Sequence, residues 1–159
     1  MKKVLIALDY DPPAETIAEK GYELAKSMNA EVVLLHVVAE AFYYSAQNYS
    51  PIMGYEGFNN MDVVQLANID ELRNAAQNYL NMSKQHLGDN TIQTLVKEGD
   101  FGEAIVDAAK EVNADVIVLG SHGRRGLDKM LLGSVAEQVL HKTEIPLFII
   151  PTKKLEKEK

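Results

Sequence analysis

The chain has 159 residues, 47% hydrophobic and 25% charged, the proportions of a single folded domain rather than a disordered or fibrous chain. With no cysteine it has no disulfide, no thiolate nucleophile and no thiolate metal site, and no apolar run reaches the ~18 residues of a membrane helix. Its net charge is −7 and no basic stripe offsets it, so neither nucleic acid nor an anionic membrane is an expected partner.

In chain order, the first apolar run is Val4-Leu5-Ile6-Ala7-Leu8, between the basic start Met1-Lys2-Lys3 and Asp9. Five apolar residues are too few for a secretory signal, so a cytoplasmic protein is expected. Asp11 before Pro12 and Pro13 predicts a helix N-cap with proline in the first turn. The helix it opens carries Ala14, Ile17, Ala18, Gly21, Leu24, Ala25 and Met28 on one face. A second strand follows, Val32-Val33-Leu34-Leu35-His36-Val37-Val38, with His36 read as a satisfied core histidine. Residues 39–61 are long for a loop and hold six of the eleven aromatics: Phe42, Tyr43, Tyr44, Tyr49, Tyr55 and Phe58. Loops of that length are functional or disordered as a class, so a lid, a partner surface and plain mobility all stay open here.

A longer helix is predicted from about Asp62 to His86, using Ile69, Leu72, Ala76, Tyr79 and Leu80. The run from Thr91 to Lys97 alternates, with Ile92, Thr94 and Val96 on one face, as suits an edge strand. Phe101, Ala104, Ile105, Ala108, Ala109 and Val112 mark the next helix, and Val116-Ile117-Val118-Leu119 the next strand. A last helix carries Val135, Ala136, Val139 and Leu140, before the final run Leu147-Phe148-Ile149-Ile150. Continuous β-branched runs belong to parallel sheets covered on both faces, and strict alternation of strand and helix implies right-handed crossovers. The expected organisation is one α/β domain over residues 1–152, then a charged tail over 153–159.

The stretch from Gly120 to Ser134 joins the fourth strand to the last helix and is the most informative part of the chain. Its glycines let backbone N–H groups approach an anion, and Gly133-Ser134 opens a helix, whose first amides and dipole favour negative charge. His122, Arg124, Arg125 and Lys129 make this stretch locally positive within an acidic protein. It is neither a Walker A loop nor a dinucleotide fingerprint, since Gly-Lys-Ser/Thr and Gly-x-Gly-x-x-Gly are both missing. A plain glycine-rich turn is the alternative for any one glycine taken alone. Ser121 and His122 are adjacent, but neighbours on an extended segment should point apart and no orienting acid is evident, which argues against a hydrolase pair. The four histidines (His36, His86, His122 and His141) show no metal-ligand spacing, so no protein-held metal and no catalytic residue is expected.

Gly120-x-x-Gly123, nine residues, then Gly133-Ser134 is similar to the nucleotide motif of the universal stress protein family. Val-Leu-Ile-Ala-Leu-Asp, Leu-Leu-His-Val, Ala-Asp-Val-Ile-Val-Leu-Gly, Leu-Leu-Gly-Ser-Val-Ala-Glu and Ile-Pro-Leu-Phe-Ile-Ile resemble that family over nearly the whole chain. The resemblance implies a Rossmann-like, adenine nucleotide alpha hydrolase-like fold: an open five-stranded parallel sheet in order 3-2-1-4-5. It places the nucleotide at the switch point between strands 1 and 4, where open α/β sheets bind their ligands. It further implies that Asp9 contacts adenosine, Val37 the adenine and Gly120 the ribose, while Gly123, Gly133, Ser134 and Val135 hold phosphates. Ala7, Leu119, His122 and Arg124 complete the expected set. Many members read Asp-Gly-Ser or Asp-x-Ser after strand 1; here the sequence is Asp9-Tyr10-Asp11, whose second carboxylate would either repel phosphate or cap the helix, the cap being the preferred reading.

The function expected from this resemblance is a stress-response sensor or adaptor that binds ATP, ADP or AMP, with Mg²⁺ riding on the phosphates, and works through an unidentified protein partner. A slow ATPase or adenylylating enzyme and a nucleotide-free dimeric adaptor are the alternatives. A homodimer through Leu147–Ile150 is also expected, because an apolar edge strand invites pairing and related members dimerise this way. Pro146 and Pro151 confine that pairing to the short stretch between them.

Overall fold

All five expected strands form, and they lie in one parallel sheet. In the computed structural model, residues 1–10, 13–39, 69–122 and 132–152 are described. Within them the chain runs β1 (Lys3–Ala7), α1 (Ala14–Ser27), β2 (Glu31–Val38), α2 (Ile69–Leu87), β3 (Gln93–Glu98), α3 (Phe101–Glu111), β4 (Val116–Gly120), α4 (Ser134–Lys142) and β5 (Leu147–Ile150). The order across the sheet is β3-β2-β1-β4-β5, as the family resemblance implied. Every neighbouring pair is parallel, with Ile6 opposite Leu34 on one side and Val118 on the other.

Burial follows from the strand sequences. Val4, Leu5 and Ile6 have no exposed surface, which only a central strand covered on both faces achieves. Val4, Ile6, Leu34, Val38 and Val118 face a layer built by α1 and α2, through Ile17, Ala18, Leu72, Ala76, Tyr79 and Leu80. Leu5, Val33, Leu35, Val37, Ile117 and Leu119 face the opposite layer, where α3 and α4 bring Ile105, Ala109, Ala136 and Val139. Gly21 lets α1 sit close to the sheet: a β-carbon there would stand 2.7 Å from Ile6 Cδ1 and 3.1 Å from Val118 Cγ1. Asp100 caps α3 by accepting from the Glu103 amide at 3.2 Å, and the same carboxylate takes the Gln138 side-chain amide at 2.7 Å, tying α3 to α4.

Some expectations lie outside the described residues: the Asp11 cap, the aromatic segment beyond Ala39, the long helix before Ile69, the loop 123–131 and the tail 153–159. The described N-cap position of α1 is Pro13, one residue before the helix rather than in its first turn, and it makes no side-chain cap. β3 lies at one edge, with Leu95 and Val96 only half-buried. β5 lies at the other, where Phe148 is 39% exposed and Ile150 is buried, so its apolar residues divide between core and edge.

Candidate functional site

The sheet splits its connections at one place. β1 leads into α1, which packs on one face, while β4 leads toward α4, which packs on the other. Between the C-terminal ends of β1 and β4 the chain therefore departs in opposite directions, leaving the crevice in which open α/β sheets bind ligands. Near that edge Ala7, Val37, Leu119 and Val135 all belong to the cluster on the α3 and α4 face. Four of the expected site residues therefore belong to that one layer. Gly123 and Arg124 lie outside the described residues.

α4 is drawn against the tip of β4. The Gly133 amide donates to the Ser121 carbonyl at 2.6 Å, so the helix begins beside the end of the strand. Gly133 is the N-cap residue and contributes no side-chain cap; the first helical bond runs from the Glu137 amide to the Gly133 carbonyl at 2.9 Å. The amides of Ser134, Val135 and Ala136 consequently have no backbone acceptor among the described residues, and Ser134 is exposed beside them. Donors of this kind, at the positive end of a helix, suit an oxyanion. Gly133 has φ −68° and ψ 164°, open to any residue, so torsion does not require glycine there.

Gly120 is glycine for a packing reason. A β-carbon would stand 2.8 Å from both Ile17 Cδ1 and Thr152 Cγ2, on the α1 side of the sheet. The residues after it form a closed hydrogen-bond set that sequence reasoning missed. The buried Thr152 donates its amide to Ser121 Oγ at 3.0 Å, while its hydroxyl accepts the His122 amide at 3.0 Å and donates to the His122 carbonyl at 2.8 Å. Ser121 Oγ lies 2.8 Å from His122 Nδ1. The two side chains therefore meet, correcting the expectation that they point apart. The chain bends after Gly120, so Ser121 Oγ meets the His122 ring on one side and the Thr152 amide on the other. Ser121 is buried and engaged on both sides, which suits a clamp rather than a nucleophile. Thr152 stands thirty residues away, and no local signal announces such a partner. Thr152→Val should cost about 1–3 kcal/mol by leaving the His122 amide and carbonyl unmatched, as read from urea unfolding; an unchanged midpoint would show the clamp to be idle.

Asp9 is exposed just past β1, and its carbonyl accepts the Tyr79 hydroxyl at 2.6 Å. Tyr10 is buried with its ring centroid 4.3 Å from His36 and 5.0 Å from Tyr79. His36 is only half satisfied. Its Nδ1 donates to the Leu8 carbonyl at 2.8 Å, but its Nε2 is buried with no hydrogen-bond partner among the described residues. Burial pushes its pKa down to about 4, against a smaller upward pull from the Leu8 bond. The cluster anchors the segment that carries Asp9. A tyrosine three residues past a strand end, a histidine inside a strand and a tyrosine on a helix are the signals that point to it.

The model of the universal stress protein family matches residues 1–151. Universal stress protein MJ0577 of Methanocaldococcus jannaschii is 34% identical over 159 residues, covering 96% of each chain. Universal stress protein A homolog 2 of Coxiella burnetii is 33% identical over 141 residues, covering 88% of each. Among solved structures, that of hypothetical protein MJ0577 matches with a TM-score of 0.69 at 28% identity over 96% of both chains. A universal stress protein crystallised in complex with cAMP shares the fold at TM-score 0.62 and 18% identity, over 96% of this chain and 98% of that one.

Proposed function

The chain belongs to the universal stress protein family, and from that premise we propose that it binds an adenine nucleotide, ATP or AMP, between the ends of β1 and β4 and acts as a nucleotide-dependent sensor or adaptor in a stress response. The observation that carries this reading is the start of α4: a helix capped by glycine, held to the tip of β4, with three amides lacking backbone acceptors among the described residues. A fold relative whose crystal structure is a complex with cAMP supports the ligand class. In this reading the amides of Ser134 and Val135 and the Ser134 hydroxyl hold phosphate, and His122, in contact with Ser121, lies at the same strand end. Val37 and the strand ends at Ala7 and Leu119 back the nucleoside. Gly123 and Arg124, outside the described residues, complete the proposed set. Bound nucleotide supplies a set of charges that changes with phosphate number, and Mg²⁺ would travel with those phosphates.

Asp9 is assigned the nucleoside end, because a carboxylate accepts hydrogen bonds from sugar hydroxyls but repels phosphate. Asp9→Ala should therefore weaken ATP at least about tenfold, roughly 1.4 kcal/mol, and leave inorganic triphosphate almost unchanged in calorimetric titrations. Equal losses for both ligands would place Asp9 in a structural role instead.

The protein is further proposed to work in the cytoplasm as a homodimer through β5. Phe148 supports this, being a large apolar side chain exposed at a sheet edge. Phe148→Lys should convert dimer to monomer in sedimentation equilibrium at tens of micromolar. Ile150 is a poor second position for this test because it is buried. A wild-type chain sedimenting at 17.6 kDa would remove the dimer.

A further inference from the structure

Outside the nucleotide crevice, α1 and α2 bring three metal-ligating side chains to one point. Glu15 and Glu19 lie one turn apart on α1 and so share a face, and His86 reaches them from the last turn of α2. His86 Nε2 stands 3.1 Å from Glu15 Oε1 and 2.8 Å from Glu19 Oε1, and one donor atom from each residue lies within 4.8 Å of the others. We propose that Glu15, Glu19 and His86 form a binding site for a divalent ion of the zinc class, clipping α1 to α2.

Charge and geometry both support the site. Two carboxylates one turn apart repel each other, yet among the described residues no lysine or arginine pairs with either; Lys20 pairs with Glu23 instead. The pair therefore has an excess of negative charge that an imidazole alone does not balance. Zinc holds nitrogen and oxygen donors at about 2.0–2.2 Å, which puts tetrahedral neighbours roughly 3.3 Å apart. The observed separations approach that value, so only small side-chain rotations are needed. The helices are held together independently by the Tyr22 hydroxyl donating to Asp89 at 2.8 Å, where α2 gives way to β3. An imidazole among the donors selects zinc-class ions over Mg²⁺ or Ca²⁺, which prefer oxygen alone. Three protein ligands leave room for water. The histidine spacing gave no hint of the site because His86 is 67 residues from Glu19 in sequence.

Titrating Zn²⁺ into the full-length chain without nucleotide, with Co²⁺ as the optical probe, tests the proposal. One ion per chain should bind, raise the thermal midpoint and give ligand-field bands with Co²⁺. Glu19→Gln and His86→Gln should each weaken binding by roughly 100-fold or more, since losing even an outer-sphere partner costs about 10–100-fold. These positions are exposed at the surface, and circular dichroism checks folding; Glu15→Gln supplies the same test should either variant unfold. Absence of binding at 1:1 stoichiometry, binding that survives the Glu19→Gln/His86→Gln double change, or an equal response to Mg²⁺ would overturn it.

Discussion

Gly133→Val should leave the protein folded and reduce ATP affinity by at least about 100-fold, roughly 2.7 kcal/mol. The reason is room rather than backbone conformation, since φ −68° and ψ 164° suit valine as well as glycine. A glycine cap leaves the first amides of α4 open to an anion; a branched side chain at the same position competes for that space. Each hydrogen bond to a charged phosphate is worth about 1.5–3 kcal/mol, so losing one or two accounts for the predicted effect. The fold should survive because the Gly133 bond to the Ser121 carbonyl is made by the backbone, and a poorer cap costs only about 1 kcal/mol. Ser134→Ala removes one hydroxyl and leaves the amides, so it serves as the milder companion. Calorimetry on the folded variant decides the matter; unchanged affinity would remove the start of α4 from the site.

Acidification should cost the folded state about 3 kcal/mol between pH 6.5 and 4, through His36. The ring is buried between Tyr10 and Tyr79, with Nε2 lacking a hydrogen-bond partner among the described residues. Burial holds the folded pKa near 4, whereas the unfolded chain takes its proton near the ordinary value of 6.5. Between those values the unfolded state binds more protons, so stability is fully present above pH 6.5 and declines as pH falls toward 4. The slope is about 1.4 kcal/mol per pH unit. His36→Phe cannot take up that proton. It should be less stable than wild type at pH 7, having lost the Leu8 bond, yet decline less on the way to pH 5. Parallel losses in both proteins would assign the acid sensitivity to other groups.

The features legible in the sequence are those with a local cause. Val4-Leu5-Ile6 and Ile117-Val118-Leu119 read as buried strands because a sheet covered twice needs every residue apolar, and both strands are buried as expected. Thr91 to Lys97 read as an edge because it alternates, and β3 is an edge. The glycine spacing identified where β4 passes into α4, although Gly120 is held by packing against Ile17 and Thr152. What was not legible depends on partners far along the chain. Thr152 reaches back to the turn at Ser121 and His122, Tyr79 crosses to the Asp9 carbonyl, and His86 meets Glu15 and Glu19. Periodicity reports which face of an element is buried, but not which polar group waits on the element packed against it. Ser121 and His122 show the same limit at short range, since a bend after the strand end turned two neighbours toward each other.

Equilibrium dialysis of the purified full-length chain against ATP, and in parallel against AMP, tests the central claim most directly. One adenine nucleotide should bind per chain, saturably, and excess inorganic triphosphate should displace it only weakly because the nucleoside end contributes. Failure of both nucleotides to bind at millimolar concentration to folded protein would contradict the assignment of the crevice between β1 and β4 as an adenine nucleotide site.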